Sequence, residues 1–430
     1  MPSSVTPRSP VAAVRRLWRQ FELRLSGPLP LQVRRNMRIE LGGAMAFGVF
    51  HSALLAFIPV VLQNLGATPE MQSFYLVQTY FGLILTSFSV LLMRRRRTIR
   101  FAVTCWLIAR GSFILAFFIT QAGWLLALTG LFWLLETFPS PAYARIAQKI
   151  YPARHRGQVM AVVRMGMALV MILVTPLAGW LLDQVGYQIL FPVAALMGVW
   201  STLRFARLQV NEGPLPPRQT KALRAMWAIV GQDRRFAFYL WSFVVYGLGA
   251  LLGFALYPAV QVDRLHLSYA QIGLLGLTQS ICWLLGYVYW GRQIDRRGSL
   301  WVLRANFALY ALVPFSYIWA TDGWLLLPAF IAQGLVSAGT DLGALNASLQ
   351  LAPAERVEEY SAIQSTVLGL RGMVSPLLGL LLLHLGLTDV AIFAIGGGLI
   401  LISSAMLSRL IVARPSDHGT GAAVQPQSPH

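Results

Sequence analysis

The sequence predicts an all-α integral membrane protein with twelve transmembrane helices in two pseudo-repeated six-helix halves. Three observations predict it. Long apolar runs dominate the chain, arginines alternate between successive loops, and several motifs recur about 200 residues apart.

The apolar runs come first. Of the 430 residues 56% are hydrophobic and 12% charged, about half the charge of a typical soluble domain. Apolar surface in such quantity makes lipid the main solvent. Crossing a hydrocarbon core of roughly 30 Å takes about 20 helical residues. Backbone groups left unpaired in lipid are too costly, so the runs must be helices. Their limits place spans near 40–63, 73–93, 101–120, 124–147, 158–182, 189–206, 237–260, 270–290, 300–320, 324–348, 360–383 and 389–412.

The charge pattern sets the orientation. The net charge is +19, and only Lys149 and Lys221 among the 35 basic residues are lysine. These residues do not form a face for nucleic acid. They lie between apolar runs, as Arg94, Arg95, Arg96 and Arg97 do, where membrane topology accounts for them. The even-numbered loops and both chain ends hold nearly all of them. The six loops on the other side hold one, Arg264. The excess of arginine predicts a multi-pass protein of the plasma (inner) membrane with both termini cytoplasmic. No short apolar core followed by a small-residue cleavage site opens the chain, so the N-terminus is expected to be retained. Cys105 and Cys282 fall on different spans, and no structural disulfide is expected.

The domain organisation follows. Residues 1–38 form a basic cytoplasmic segment, in which Val11 to Leu25 reads either as an amphipathic surface helix or as a solvated tail. Residues 39–206 form the first six-helix half. Residues 207–236, with Pro214, Pro216 and Pro217, form a cytoplasmic middle loop. Residues 237–412 form the second half, and 413–430 a disordered cytoplasmic tail.

The halves repeat one another. Thr175-Pro176-Leu177-Ala178-Gly179 in span 5 matches Ser375-Pro376-Leu377-Leu378-Gly379 in span 11, each with a glycine seven residues later, Gly186 and Gly386. Pro59 and Pro258 interrupt spans 1 and 7, and Pro152 and Pro353 precede spans 5 and 11. A parallel six-span repeat of this kind is linked to alternating access around a midplane site.

Two stretches carry a family resemblance. Residues 138–142 through 152–157 are similar to the span 4 to span 5 turn of the major facilitator superfamily. Residues 291–298 resemble that family's G-x-x-x-D-R-x-G loop, with Gly291, Asp295, Arg296 and Gly298 matching in place. The resemblance implies a secondary active transporter working by alternating access, and it makes those four residues a cytoplasmic gate. Glycines permit the tight turn, and an aspartate there can face a helix N-terminus and pair with arginine. The equivalent loop of the first half, Leu92 to Arg97, lacks the glycines and the aspartate. Glu136 stands in span 4, where drug–proton antiporters of the family often carry an arginine signature. Span 5 keeps only part of their G-P-x-x-G-G pattern.

Ionisable groups inside a membrane are costly and mark candidate functional sites. Arg110, Glu136 and Arg164 lie in spans 3, 4 and 5, and Asp341 and Arg371 in spans 10 and 11. Glu136 is expected to pair with Arg110 or Arg164, and Asp341 with Arg371. Burial raises a carboxyl's affinity for protons and an arginine lowers it, which makes Glu136 and Asp341 the candidates for proton coupling. The alternative is static pairs that fix helix packing. Arg110 and Arg371 are alternatively positioned to hold an anionic substrate. His51, Gln78, Tyr80, Tyr246, Gln279 and Asn346 are candidates to line a central cavity. Trp133, Trp241 and Trp283 are candidates to stack on a flat or cationic solute. Arg145 falls near the cytoplasmic edge.

Other chemistry is absent from the pattern. Neither lysine stands in a G-K-S/T phosphate loop. The six histidines lack metal-ligand spacing, and no G-x-S-x-G elbow occurs. No cofactor and no metal are expected, nor an enzyme. The expected partners are membrane lipids, a small-molecule substrate and protons, with the protein a monomer. The sequence therefore reads as a transporter of a small organic solute, with export favoured by the loop resemblance and proton coupling suggested by Glu136 and Asp341. The alternatives are uptake of an organic anion, or a protein of the same fold that no longer transports and serves membrane assembly or lipid handling.

Overall fold

A computed structural model describes residues 30–93, 98–210, 229–353 and 356–412. The Val11–Leu25 segment, Arg94 to Arg97, most of the middle loop and the tail lie outside the described residues, as does the side chain of Arg145. Among the described residues nine helical stretches are long and apolar enough to cross a membrane, from Leu31–Asn64 to Asp389–Ile411. The other three expected spans are helical as well. They are Pro69–Met93, Ala122–Thr137 continued by Ser140–Ile150, and Ser299–Tyr310 continued by Leu312–Trp319.

The repeat foreseen from the prolines is present in the backbone. Span 1 runs as Leu31–Ala53, loosens to a 3₁₀ turn at Leu55–Phe57, and resumes at Ile58–Asn64 with Pro59 in its first turn. Span 7 runs as Arg234–Leu252, loosens at Phe254–Leu256, and resumes at Tyr257–Ala259 with Pro258 in place. A proline has no N–H for the preceding turn and its ring crowds the carbonyl four residues back, so both helices break at the same point. The turns after the breaks also match. Gly66 and His266 both take positive φ, 77° and 49°. Gly186 and Gly386, after spans 5 and 11, have φ of 74° and 87°, the region that favours glycine.

Spans 1, 5 and 6 pack together in the first half, and spans 7, 11 and 12 in the second. The halves meet along span 5 against span 8 and span 2 against span 11. Residue 30 and residue 412 lie on one side, together with the described turns after Ile150, Arg297 and Leu351; we call it the basic side. Asn36, at the start of span 1, donates to the carbonyl of Gln209 beyond span 6 on that side.

The apolar core is distributed unevenly. On the opposite side one cluster joins both halves, running from Phe57, Ile58 and Phe191 to Tyr257, Ile272 and Phe393. On the basic side each half has a cluster of its own. One is built on Met37, Phe101 and Tyr151, the other on Phe236, Phe307 and Leu407.

Candidate transport pathway

The joint cluster is sealed by polar contacts between the halves. Gln63 Nε2 donates to Asp263 at 2.7 Å. Asp183, in the last turn of span 5, accepts from the backbone N–H groups of Tyr269 and Ala270 at 3.0 and 2.8 Å. These belong to the exposed N-terminus of span 8, where a carboxylate is favoured by unpaired N–H groups and by the helix dipole. Glu70, opening span 2, pairs with His384, closing span 11, at 3.0 Å. Between these contacts the backbones nearly touch. A Cβ on Gly179 would collide with the carbonyl of Tyr269 and stand 3.2 Å from Cα of Gly273.

Nearer the basic side the contacts give way to charges. Tyr287 in span 8 donates to Asp341 in span 10 at 2.7 Å. Arg164, from span 5 of the other half, lies within electrostatic reach of both. Arg164 and Asp341 are exposed, and all three residues stand ten or eleven positions from the basic-side ends of their helices, roughly 16 Å deep. The three thus stand at one depth on neighbouring spans of the two halves, span 5 against span 8 and span 8 against span 10.

Arg110 and Glu136 form the expected pair. Arg110 Nη2 and Nε donate to the two carboxylate oxygens at 2.6 and 3.0 Å, and Nη1 donates to Ser201 and Thr202 in span 6. The guanidinium lies over the Phe47 and Trp106 rings. The pair is closed inside the first half, and Arg164 takes no part in it.

The expected pairing of Asp341 with Arg371 is not formed. Asp341 turns to span 8, whereas Arg371 turns to span 7, donating to the Phe243 carbonyl and lying over the Phe243 and Tyr246 rings.

The polar candidates divide in the same way. Gln78 is bound within the first half, donating to the Leu126 carbonyl at 3.0 Å and accepting from Thr129 at 2.8 Å. Asn346 donates to its own helix at Leu342. Tyr246 stacks on Phe307 with ring centres 3.8 Å apart, inside the second half. His51 and Gln279 are partly exposed, and the buried Nδ1 of His51 has no hydrogen-bond partner. Tyr80 crosses from the first half to lie against Gly372, where any Cβ would overlap its ring. Trp241 points outward and is exposed. The ring nitrogens of Trp133 and Trp283 are buried without partners. Of the loop motif, Gly298 ends span 8 with φ 83° and its N–H bonded to Ile294. Gly291 has open space about it. Asp295 and Arg296 are exposed, and among the described residues Asp295 makes no ion pair.

Two features escaped sequence reasoning. Glu40, buried nine residues into span 1 from its basic-side end, accepts from the hydroxyls of Tyr143 and Tyr151 at 2.7 and 2.5 Å. Asp183 caps a helix of the other half. Position 183 ends a long apolar helix, and a polar residue there is the one signal the sequence offered.

The sequence profile of the Major Facilitator Superfamily matches residues 41–268 and again 238–428. No curated protein matches the chain. Among solved structures, the crystal structure of a mutant of the nucleoside transporter NupG superposes with a TM-score of 0.65. The match covers 88% of this chain and 98% of that one at 11% identity, a likeness of fold alone.

Proposed function

Because the chain belongs to the Major Facilitator Superfamily, we propose that it is a secondary transporter moving a small organic solute across the plasma membrane by alternating access. On this reading the basic side is cytoplasmic by the positive-inside rule, and the division of the apolar clusters supports a form open towards that side. One observation carries this reading. The halves share a single apolar cluster on the opposite side but keep separate clusters on the basic side. Rocking the halves about the contacts of spans 2, 5, 8 and 11 would exchange one arrangement for the other.

In this reading Asp341 is the coupling carboxylate and transport is proton-coupled export. Asp341 is exposed, with Arg164 of the other half at the same depth and within electrostatic reach. Rocking would change that separation and with it the cost of carrying a proton. Glu136, held by Arg110 inside one rigid half, keeps the same surroundings in both states and serves packing.

The test begins with thermal stabilisation of the purified protein by a broad solute library, since a solute that binds the folded state raises apparent stability by mass action. Flux of each hit is then measured in liposomes with a Gln63→Cys/Asp263→Cys variant lacking the native cysteines. A reversible thiol cross-linker should reduce flux to background, and reductant should restore it. Flux that ignores the cross-link would sink the alternating-access reading. A folded protein that binds no solute would favour the non-transporting alternative.

A further inference from the structure

Arg110 and Arg371 are both buried, at 5% and 9% exposure, and each guanidinium lies over a phenylalanine ring, Phe47 in span 1 or Phe243 in span 7. Only one is neutralised. Arg110 has the bidentate Glu136 and two hydroxyls. Among the described residues no carboxylate reaches Arg371. Its Nη1 donates to the Phe243 carbonyl, and its Nε is buried with no acceptor. A buried charge without a counter-charge is strongly disfavoured.

The surroundings make room for this arginine. Gly247 leaves the space the guanidinium fills, because a Cβ there would stand 2.5 Å from Nη1 and 2.6 Å from Nε. Tyr80 of the other half lies against the next residue, Gly372, and Tyr80, Tyr239 and Tyr246 surround the charge. Arg371 therefore sits where span 2 of one half meets span 11 of the other. A group bound there would touch both halves.

We infer that Arg371 is the anchor for an anionic group of the transported solute, so that the substrate is a small organic anion. The inference rests on the transporter reading above. A carboxylate, phosphate or sulfonate offers two oxygens to the guanidinium fork, satisfies the orphaned Nε, and supplies the missing charge. Tyrosine hydroxyls beside it can donate to the remaining oxygen. A neutral or cationic solute would leave the arginine unpaired.

The experiment measures thermal midpoints of the purified full-length protein in a series of matched shape. Benzoate, phenyl phosphate and benzenesulfonate are compared with benzamide and benzylammonium, each at rising concentration. The expected result is a concentration-dependent rise for at least one anion and none for the neutral or cationic members. Arg371→Gln should abolish the rise. Arg371→Lys, which keeps the charge but loses the fork, should weaken apparent affinity at least tenfold. Equal shifts from benzamide or benzylammonium overturn the inference, as does an anion shift that survives Arg371→Gln, or no shift from any compound. A shift given only by phosphatidylglycerol vesicles also overturns it, in favour of a lipid head group. If Arg371→Gln does not fold, the charge series on the unaltered protein still decides. The two readings fail separately. Neutral solutes that bind and cross liposomes would leave the transporter standing without the anion. An Arg371-dependent anion site with no cross-link-sensitive flux would do the reverse.

Discussion

Gln63 and Asp263 stand 200 residues apart and share a hydrogen bond of 2.7 Å. Gln63 is the fourth residue after Pro59 and Asp263 the fifth after Pro258, the second lying in a wider π turn at Val260–Arg264, so the bond joins matching turns of the repeat. Two related helices meet at their matching ends only near the axis that relates them, so this bond marks the centre of the seal.

Removing one partner should loosen that seal. A hydrogen bond to a charged group contributes about 1.5–3 kcal/mol when buried and less where solvent competes. For the exposed Asp263, Asp263→Ala should cost the closed seal about 1 kcal/mol, roughly a fivefold shift towards opening on that side. The measurement is labelling of a Ser52→Cys probe, fully buried behind the seal, by an impermeant maleimide applied from the side opposite the basic loops. An unchanged labelling rate would remove the bond from the gate.

Backbone contact should matter more than the polar bond. At Gly179 any side chain meets the Tyr269 carbonyl and the Gly273 Cα, and neither can yield as a flexible side chain would. Gly179→Val should prise span 5 from span 8. Overpacking of this kind costs about 1–3 kcal/mol, so the Ser52→Cys probe should label from fivefold to over a hundredfold faster. Total helicity by circular dichroism should stay unchanged, because the strain falls between the halves.

The rim of the seal should respond to acid. The Thr68 side chain, then the backbone, and also His384 hold the Glu70 carboxyl below the ordinary carboxylate value. A carboxylate lowered in the closed state supports that state fully above its ordinary value, near about 4.3, and the support is lost as pH falls through the lowered one. Labelling behind the seal, taken relative to an exposed cysteine at the same pH because the thiolate reaction itself slows in acid, should therefore be insensitive to Glu70 from neutrality to about pH 5 and accelerate below it. Glu70→Gln should reduce that acid limb. An identical limb in the variant would take Glu70 out of the gate.

The membrane fold was legible because hydropathy, arginine placement and repeated prolines are one-dimensional signals of a three-dimensional constraint. The Arg110–Glu136 pair was legible for a similar reason, since two mid-span charges on adjacent helices have few other partners. The Asp341–Arg371 pairing failed on helix rotation. Depth can be counted along a sequence, but the direction in which a side chain leaves its helix is set by packing, here by Gly247 opening a place against span 7. Glu40 was passed over because position 40 falls at a span edge, where a carboxylate normally meets water. Only the fold brings Tyr143 and Tyr151 to it, more than a hundred residues along the chain.

Glu136 should behave as a structural residue. Glu136→Ala leaves Arg110 buried without its carboxylate, and breaking such a pair costs about 3–5 kcal/mol. The thermal midpoint should fall accordingly. Replacing both partners with apolar residues of similar volume, Arg110→Met with Glu136→Leu, should recover most of the loss. If the double variant is as unstable as the single one, the pair does more than neutralise itself.

Asp341 should show the opposite pattern. Its only hydrogen bond among the described residues is the one from Tyr287, and the residue is exposed, so Asp341→Asn removes a charge without orphaning a buried one. Its cost in stability should stay within about 1 kcal/mol. Its effect should fall on coupling instead. Uptake or release of the solute driven by a pH gradient should drop at least tenfold, while exchange of solute against solute, which needs no proton movement, should persist. The Arg164→Gln variant is the companion, since it removes the opposing charge from the other half. If Asp341 acts against Arg164 during transport, Arg164→Gln should shift the pH profile of transport. Gradient-driven flux that survives Asp341→Asn would take proton coupling away from this residue. A pH profile unmoved by Arg164→Gln would show that the two charges, though at one depth, do not act on one another during transport.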